Sequence, residues 1–310
     1  MSNTSTIKVI KPGQQTLLQD FGRFGLSHMG IAQGGPLDDY AYSWANHLLG
    51  NSTNCPALEI TLGQAEFKIG DDCELAIAGG NLNAKLDGSP ITNWSTFSAR
   101  KGQSLTFGLP LNGLRSYLAV KEGFIAPQQL GSCATVVRDQ LGGIKSGSPL
   151  SAGDELQFSP HSVRKKPVQM SFRCKPDYDR VLELRVVEGY QIEDFSAEQL
   201  EKFYSQEFEV SQFIDRMGYR LCSGKVMPPE KQYLSEGIAL GAIQVPPNGE
   251  PIVLFNDRQT IGGYAKLGCV ARIDLPRLAQ AKPGQKVRFV KGDLLGLQEA
   301  WCKWANYFGY

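Results

Sequence analysis

Three observations predict a mainly β protein with a few short helices, arranged as two repeated units. Short apolar runs recur along the chain, each bounded by Gly, Asp, Asn or Pro. Glycine supplies 34 of the 310 residues, well above the typical share of roughly 7%, which implies many tight turns between short strands. Four blocks reappear in the same order in the two halves. Length agrees, since single cores stop growing near ~250–300 residues.

Strand punctuation is clearest at Leu75–Ala78, Ser116–Val120, Leu182–Val187 and Pro251–Phe255. Helices are few. Pro36 to Leu49 carries Leu37, Tyr40, Ala41, Trp44, Ala45 and Leu48 at helical spacing and stops at Gly50. Ser196-Ala197-Glu198-Gln199 has capping-box spacing ahead of Leu200 and Phe203. Leu297, Ala300, Trp301, Trp304 and Phe308 recur at three- and four-residue steps and predict an amphipathic C-terminal helix.

The repeated blocks pair Ile7–Gln14 with Leu184–Gln191, Gln19–Gly25 with Ile214–Arg220, Leu58–Gly63 with Ser235–Gly241, and Gly102–Phe107 with Gly284–Phe289. Between the halves, Ser159–Pro167 concentrates polar, basic and proline residues, so we place the units at 1–165 and 166–310. A closed barrel suits each better than a sandwich, because closure removes sheet edges.

Composition narrows the function. Lys+Arg total 32 against Asp+Glu 31, so the basic footprint of a nucleic-acid binder is missing. No uncharged apolar run approaches the ~18 residues of a membrane span, and the first residues lack a signal-like apolar stretch, so a cytoplasmic location is expected. Seven scattered cysteines without a C-x-x-C read as reduced thiols, and three histidines give little material for a metal centre; no metal site is expected. No Walker-type phosphate loop, no strand–G-x-G-x-x-G–helix unit and no G-x-S-x-G elbow occurs.

Two kinds of segment combine ionisable groups with glycine. Asp20 and Arg23 either neutralise each other and hold a turn, or leave Arg23 free to clamp a carboxylate or phosphate. The Asp215-Arg216 pair repeats that choice and favours a scaffold role for Asp20 and Asp215. Ser235-Glu236-Gly237, Gly241–Pro246 and Phe255–Tyr264 form the richer group. There Asn256, Asp257, Arg258, Gln259 and Thr260 follow an apolar strand and lead into Gly262-Gly263-Tyr264, so polar side chains and backbone N–H groups would converge at a strand end. Such a place suits an oxyanion, an amide or a phosphoryl oxygen. Gln244 and Gln259 favour an amide, which neutral carboxamides recognise well.

The ordered set Pro12-Gly13, Gln19–Arg23, Asp38, Ala45-Asn46, Gly131-Ser132, Asp215–Gly218, Ser235–Gly237, Gly241–Pro246, Asp257–Thr260 and Gly262–Tyr264 resembles the allophanate hydrolase subunit 2 family nearly end to end. The resemblance implies two tandem cyclophilin-like β-barrel units. The stand-alone length points to the branch that serves bacterial ATP-dependent 5-oxoprolinase, in which companion A and B subunits, the latter Kip inhibitor-like, help to open 5-oxo-L-proline to L-glutamate. That implies an amidohydrolase active only within a complex, a small cyclic amide substrate, and ATP with Mg²⁺ at the level of the complex. Arg23, Asp257, Gln259 and Thr260 are then the expected catalytic residues. Asn46, Glu236, Gln244, Gly262, Gly263 and Tyr264 are the expected substrate contacts. Ile261 stands where the pattern suggests a second Thr, which removes a hydroxyl. Two alternatives remain. One is a biotin-dependent carboxyltransferase of the urea carboxylase type, with carboxybiotin delivered from elsewhere because no Met-Lys-Met attachment site is present. The other is a non-enzymatic antagonist of a Kip-type kinase inhibitor that docks through Trp301, Trp304 and Phe308.

Overall fold

The computed structural model describes residues 4–164 and 166–310; Lys165, at the expected boundary, lies outside the described residues. Two compact units result. The first comprises the chain up to Arg23 together with Gly34–Tyr178, and the second Phe24–Gln33 together with Asp179–Tyr310. Residues after the proline-rich stretch stay with the first unit through pairing: Thr96 N–H donates to the Val168 carbonyl at 2.8 Å and Met170 N–H to that of Trp94 at 3.0 Å. The Tyr178 hydroxyl donates to Asp38 at 3.0 Å.

In the first unit the strands form a seven-stranded and a five-stranded sheet. Ser5–Pro12 and Ala65–Ile69 of the larger sheet alternate buried and open positions, sending Ile7, Val9, Phe67 and Ile69 into one core with Leu58, Ile60, Leu75, Ile77 and Leu118 of the smaller. The central strands of the smaller sheet, Cys73–Asn81 and Asn112–Val120, are buried almost throughout, because helix α1 (Asp39–Leu49) covers their other face. Ala57, Ala76, Ala78 and Ala119 line that face. Their small side chains let Tyr42, Ala45 and Leu49 pack closely, each large apolar residue contributing about 1.5–3 kcal/mol of burial. The helix begins after Pro36-Leu37 because the Asp38 carboxylate accepts the Ala41 N–H at 2.8 Å and so caps it.

The second unit holds a closed barrel. Going round it, the strands are Leu182–Glu188, Ala265–Val270, Ala242–Val245, Ile252–Leu254, Gly218–Cys222, Phe208–Ile214 and Lys286–Lys291. Closure comes from the parallel pairing of Leu182–Glu188 with Lys286–Lys291; the other neighbours are antiparallel. Helix α2 (Ala197–Ser205) starts at Ser196, whose hydroxyl accepts the Gln199 N–H. Helix α3 (Leu275–Ala279) and the terminal α4 (Leu294–Phe308) complete the unit. A two-stranded ribbon, Glu236–Gly237 against Ile261–Gly262, lies outside the barrel ladder.

One turn is built alike in both units. Gly102 and Gly284 adopt φ of +87° and +85°, which favours glycine. In each, the following glutamine turns back on the residue three before it: Gln103 Oε1 accepts the Arg100 N–H at 2.8 Å, and Gln285 Oε1 the Lys282 N–H at 3.2 Å. Each glycine N–H donates to a strand carbonyl, of Ile69 or Val210. The correspondence is weaker elsewhere, since Gly13 has φ +69° whereas Gly189 is extended. No helix among the described residues is long and apolar enough to cross a membrane.

Candidate functional site

Alternation along Ala242–Val245 sends Ile243 and Val245 to one side of the barrel wall and Ala242 and Gln244 to the other. On this second side Ala242, Leu254, Ile252 and Cys269 form a small apolar cluster with Ile238 of the ribbon segment. Gln244 pairs in register with Lys266 of the neighbouring strand. The ribbon therefore lies over this face, and both side chains sit beneath it.

Two carboxamides meet there. Gln259 Nε2 donates to Gln244 Oε1 at 3.2 Å, while Gln244 Nε2 is buried with no hydrogen-bond partner. A buried amide donor without an acceptor costs about 1–3 kcal/mol, so its retention needs a reason. Gly262 makes the close approach possible: a Cβ at this position would lie 2.7 Å from Ile238 Cδ1 and 3.0 Å from Gln244 Nε2. Arg258 pins the ribbon from below, Nε donating to the Ile238 carbonyl at 3.0 Å and Nη1 to that of Phe255 at 3.2 Å. Burial holds its guanidinium below its ordinary pKa. Burial also pushes the Cys269 thiol up, which keeps it protonated and unsuited to nucleophilic attack.

Beside the carboxamides, three groups converge on Glu236. Lys266 Nζ and Gln191 Nε2 each reach Oε1 at 2.8 Å, and the Tyr190 hydroxyl donates to Oε2. Gln191 is held in orientation because its Oε1 accepts the Lys266 N–H at 2.8 Å. The Lys266 ammonium and then the hydrogen bond from Tyr190 hold the Glu236 carboxyl below the usual carboxylate range. Close by, Lys231, Tyr233, Gly263 and Tyr264 line a groove of about 310 Å³.

The expected residues thus divide. Glu236, Gln244, Gln259 and Gly262 come together; Gly263 and the half-exposed Tyr264 line the adjoining groove. Thr260 contributes its carbonyl, which accepts the Ile238 N–H at 3.0 Å and ties the ribbon. Asp257 is held by Arg216 in a bidentate pair, Nε to Oδ2 at 2.8 Å and Nη2 to Oδ1 at 3.0 Å. With both oxygens so engaged and the pair buried, it is placed to brace the loop rather than to activate water. In the first unit Arg23, left open between a turn-holding and an anion-binding role, donates to the carbonyls of Gln129, Ala134 and Ser132 at 3.0, 2.7 and 3.0 Å, a clamp on backbone carbonyls. Asn46 donates to the Cys55 carbonyl at 3.0 Å and accepts from Asn51 at 2.9 Å, which secures the end of α1. Tyr190, Gln191 and Lys266 are the residues that sequence reasoning passed over. Gln191 closes one of the repeated blocks and Lys266 follows Tyr264 by two positions, the two signals that pointed towards them.

The arrangement offers a carboxamide donor and acceptor beside an ion-paired corner in which Lys266, Gln191 and Tyr190 hold the Glu236 carboxylate. It holds no nucleophile with an adjacent base. No group of three or more His, Cys, Asp or Glu among the described residues could hold a metal ion.

Comparison with known proteins agrees with the fold. The family description carboxyltransferase domain, subdomain A and B, matches residues 29–291. The chain is 36% identical over 296 residues to the C subunit of 5-oxoprolinase from Escherichia coli, covering 93% of this chain and 92% of that one. Among solved structures, TTHA0988 is 33% identical with a TM-score of 0.85, over 94% of this chain and 56% of the other. The Kluyveromyces lactis urea carboxylase is 25% identical with a TM-score of 0.85, over 99% of this chain and 30% of the other.

Proposed function

The chain belongs to the carboxyltransferase domain family, subdomain A and B, and on that premise we propose that it serves as a subunit of an ATP-dependent 5-oxoprolinase. The observation that carries this reading is the similarity to the Escherichia coli protein over nearly the full length of both chains. In this reading the chain acts with the A and B subunits, and the assembly opens 5-oxo-L-proline to L-glutamate. A five-membered lactam presents its N–H and C=O on one edge. The Gln244–Gln259 carboxamides can meet such an edge with an acceptor and a donor, and the donor Gln244 Nε2 has no other partner.

As water adds to the lactam carbonyl, negative charge gathers on its oxygen, and a preplaced amide N–H stabilises that charge without having to reorganise. Gln259 holds Gln244 in the required orientation. ATP and Mg²⁺ enter at the level of the assembly. The carboxylates of this site do not fit them, since Asp257 is engaged by Arg216 and Glu236 by Lys266. No nucleotide step is therefore assigned to these side chains.

The similarity to urea carboxylase favours a second reading, transfer of a carboxyl group from biotin to a ureido substrate. The two separate in a reconstituted mixture of this chain with its A and B partners. ATP-dependent release of glutamate from 5-oxoproline is expected. Biotin-dependent carboxylation of urea with no glutamate release would favour the second reading, and capture of a Kip inhibitor-like partner without either activity would leave a binding role alone.

A further inference from the structure

We propose that Tyr190, Gln191 and Lys266 form a carboxylate subsite that Glu236 fills in the closed chain, and that the ligand it receives is a small amide bearing its own carboxylate. The inference rests on the reading of Gln244 and Gln259 as an amide site. It deepens that reading by assigning the side chains that would hold the carboxylate of that substrate and the one that competes with it for them.

The donors and the acceptor stand on different supports. Lys266 belongs to a barrel strand, with its side chain 12% exposed, and Gln191, 2% exposed, is oriented by the Lys266 N–H. Glu236 belongs instead to a two-residue strand, next to an exposed Gly237 and paired with the ribbon strand of Ile261, which is 62% exposed. Turning the Glu236 side chain, 34% exposed, out to solvent would take the carboxylate away and leave its three donors in place. Lys266 would then be a nearly buried cation without a counter-ion, a costly state that a second carboxylate relieves. Glu236 is thus an internal stand-in for a ligand carboxylate.

The amide site adjoins this corner. Gln244 and Lys266 are register partners on neighbouring strands, so their Cβ atoms stand roughly 5 Å apart. The same ribbon covers Gln244 Nε2, the donor without an acceptor. A lactam whose ring nitrogen sits next to a carboxylate-bearing carbon presents both groups a few bonds apart, as the two subsites require. Urea and a ureido ring present the amide without an adjacent carboxylate.

The test is calorimetric titration of the full chain with 5-oxo-L-proline and with 2-pyrrolidinone, which has the lactam but no carboxylate. Glu236→Gln should bind 5-oxoproline about tenfold more tightly than the native chain, the scale of one charge-assisted contact freed from competition. Its affinity for 2-pyrrolidinone should not change, and adding Lys266→Met should remove the gain. Tyr190 is 73% exposed, so Tyr190→Phe tests the same cradle in a chain that folds even if Glu236→Gln does not; a several-fold weaker affinity for 5-oxoproline is expected. An equal gain for both ligands, no gain in a folded Glu236→Gln chain, a gain that survives Lys266→Met, or an unchanged affinity in Tyr190→Phe would overturn the subsite. Glutamate release by the assembled complex is scored separately. Release without the carboxylate-dependent gain removes the subsite and leaves the functional reading; the gain without release does the reverse.

Discussion

Gln259 and Asp257 are two positions apart in sequence and differ in what surrounds them. Gln259 meets a carboxamide whose other end has no partner, whereas Asp257 meets a guanidinium that occupies both its oxygens. Asp257→Ala should therefore act on stability. It removes the carboxylate that Arg216 Nε and Nη2 both engage, and loss of one partner from such a buried pair costs about 3–5 kcal/mol, measurable by urea unfolding; full stability with lost turnover would make Asp257 catalytic instead. Gly262→Ala should disturb the site itself, because the added methyl meets Ile238 and Gln244 below contact distance. Thermal melting lowered by only a little, with activity of the complex strongly reduced, is the expected pattern. Glu236 predicts a pH effect. Its carboxyl is held below the usual range, so the folded chain gains stability above the unfolded value of about 4.3 and loses it as pH falls through the lower folded value. The difference in melting temperature between the native chain and Glu236→Gln should shrink below about pH 4, and a constant difference would contradict the pairing.

Among the elements, those written in a few consecutive residues were legible. The Ser196 cap needs only Gln199, and the strands at Cys73–Asn81, Asn112–Val120, Leu182–Glu188 and Ile252–Leu254 contain or overlap the apolar runs that announced them. The C-terminal pattern likewise became α4. The site was legible only in part. Glu236, Gln244, Gln259 and Gly262 share segments rich in glycine and amide, but Gln191 reaches Glu236 across 45 residues of sequence, and no local pattern encodes that meeting. The ribbon is equally hidden, since strands of two residues carry no period. The aromatic face of α4 also looks different in place. Trp301 stacks on Trp304 with centroids 4.5 Å apart and carries the Arg272 guanidinium 3.8 Å above its ring. A cation–π contact of this kind is worth roughly 0.5–2 kcal/mol. Trp301→Ala should therefore lower the melting temperature while leaving capture of the B partner in a pull-down intact; lost capture at unchanged stability would restore the docking role.

At the scale of the molecule, the repeated blocks signalled two units, and the matching turns at Gly102 and Gly284 carry that repetition into the backbone. A closed barrel was expected in each unit; a closed ladder forms in the second, whereas the strands of the first form two sheets, because alternating apolar runs specify a buried face without specifying which strand closes on which. The amide and carboxylate corners both lie in the second unit, under a ribbon that the barrel wall supports. The central claim, a subunit required for opening a lactam, is tested most directly by omission and return. With A and B partners, ATP, Mg²⁺ and 5-oxo-L-proline present, glutamate release should be absent without this chain, restored by adding it, and not restored by Gln259→Ala, although that variant still enters the complex. Undiminished release from A and B alone would contradict the account.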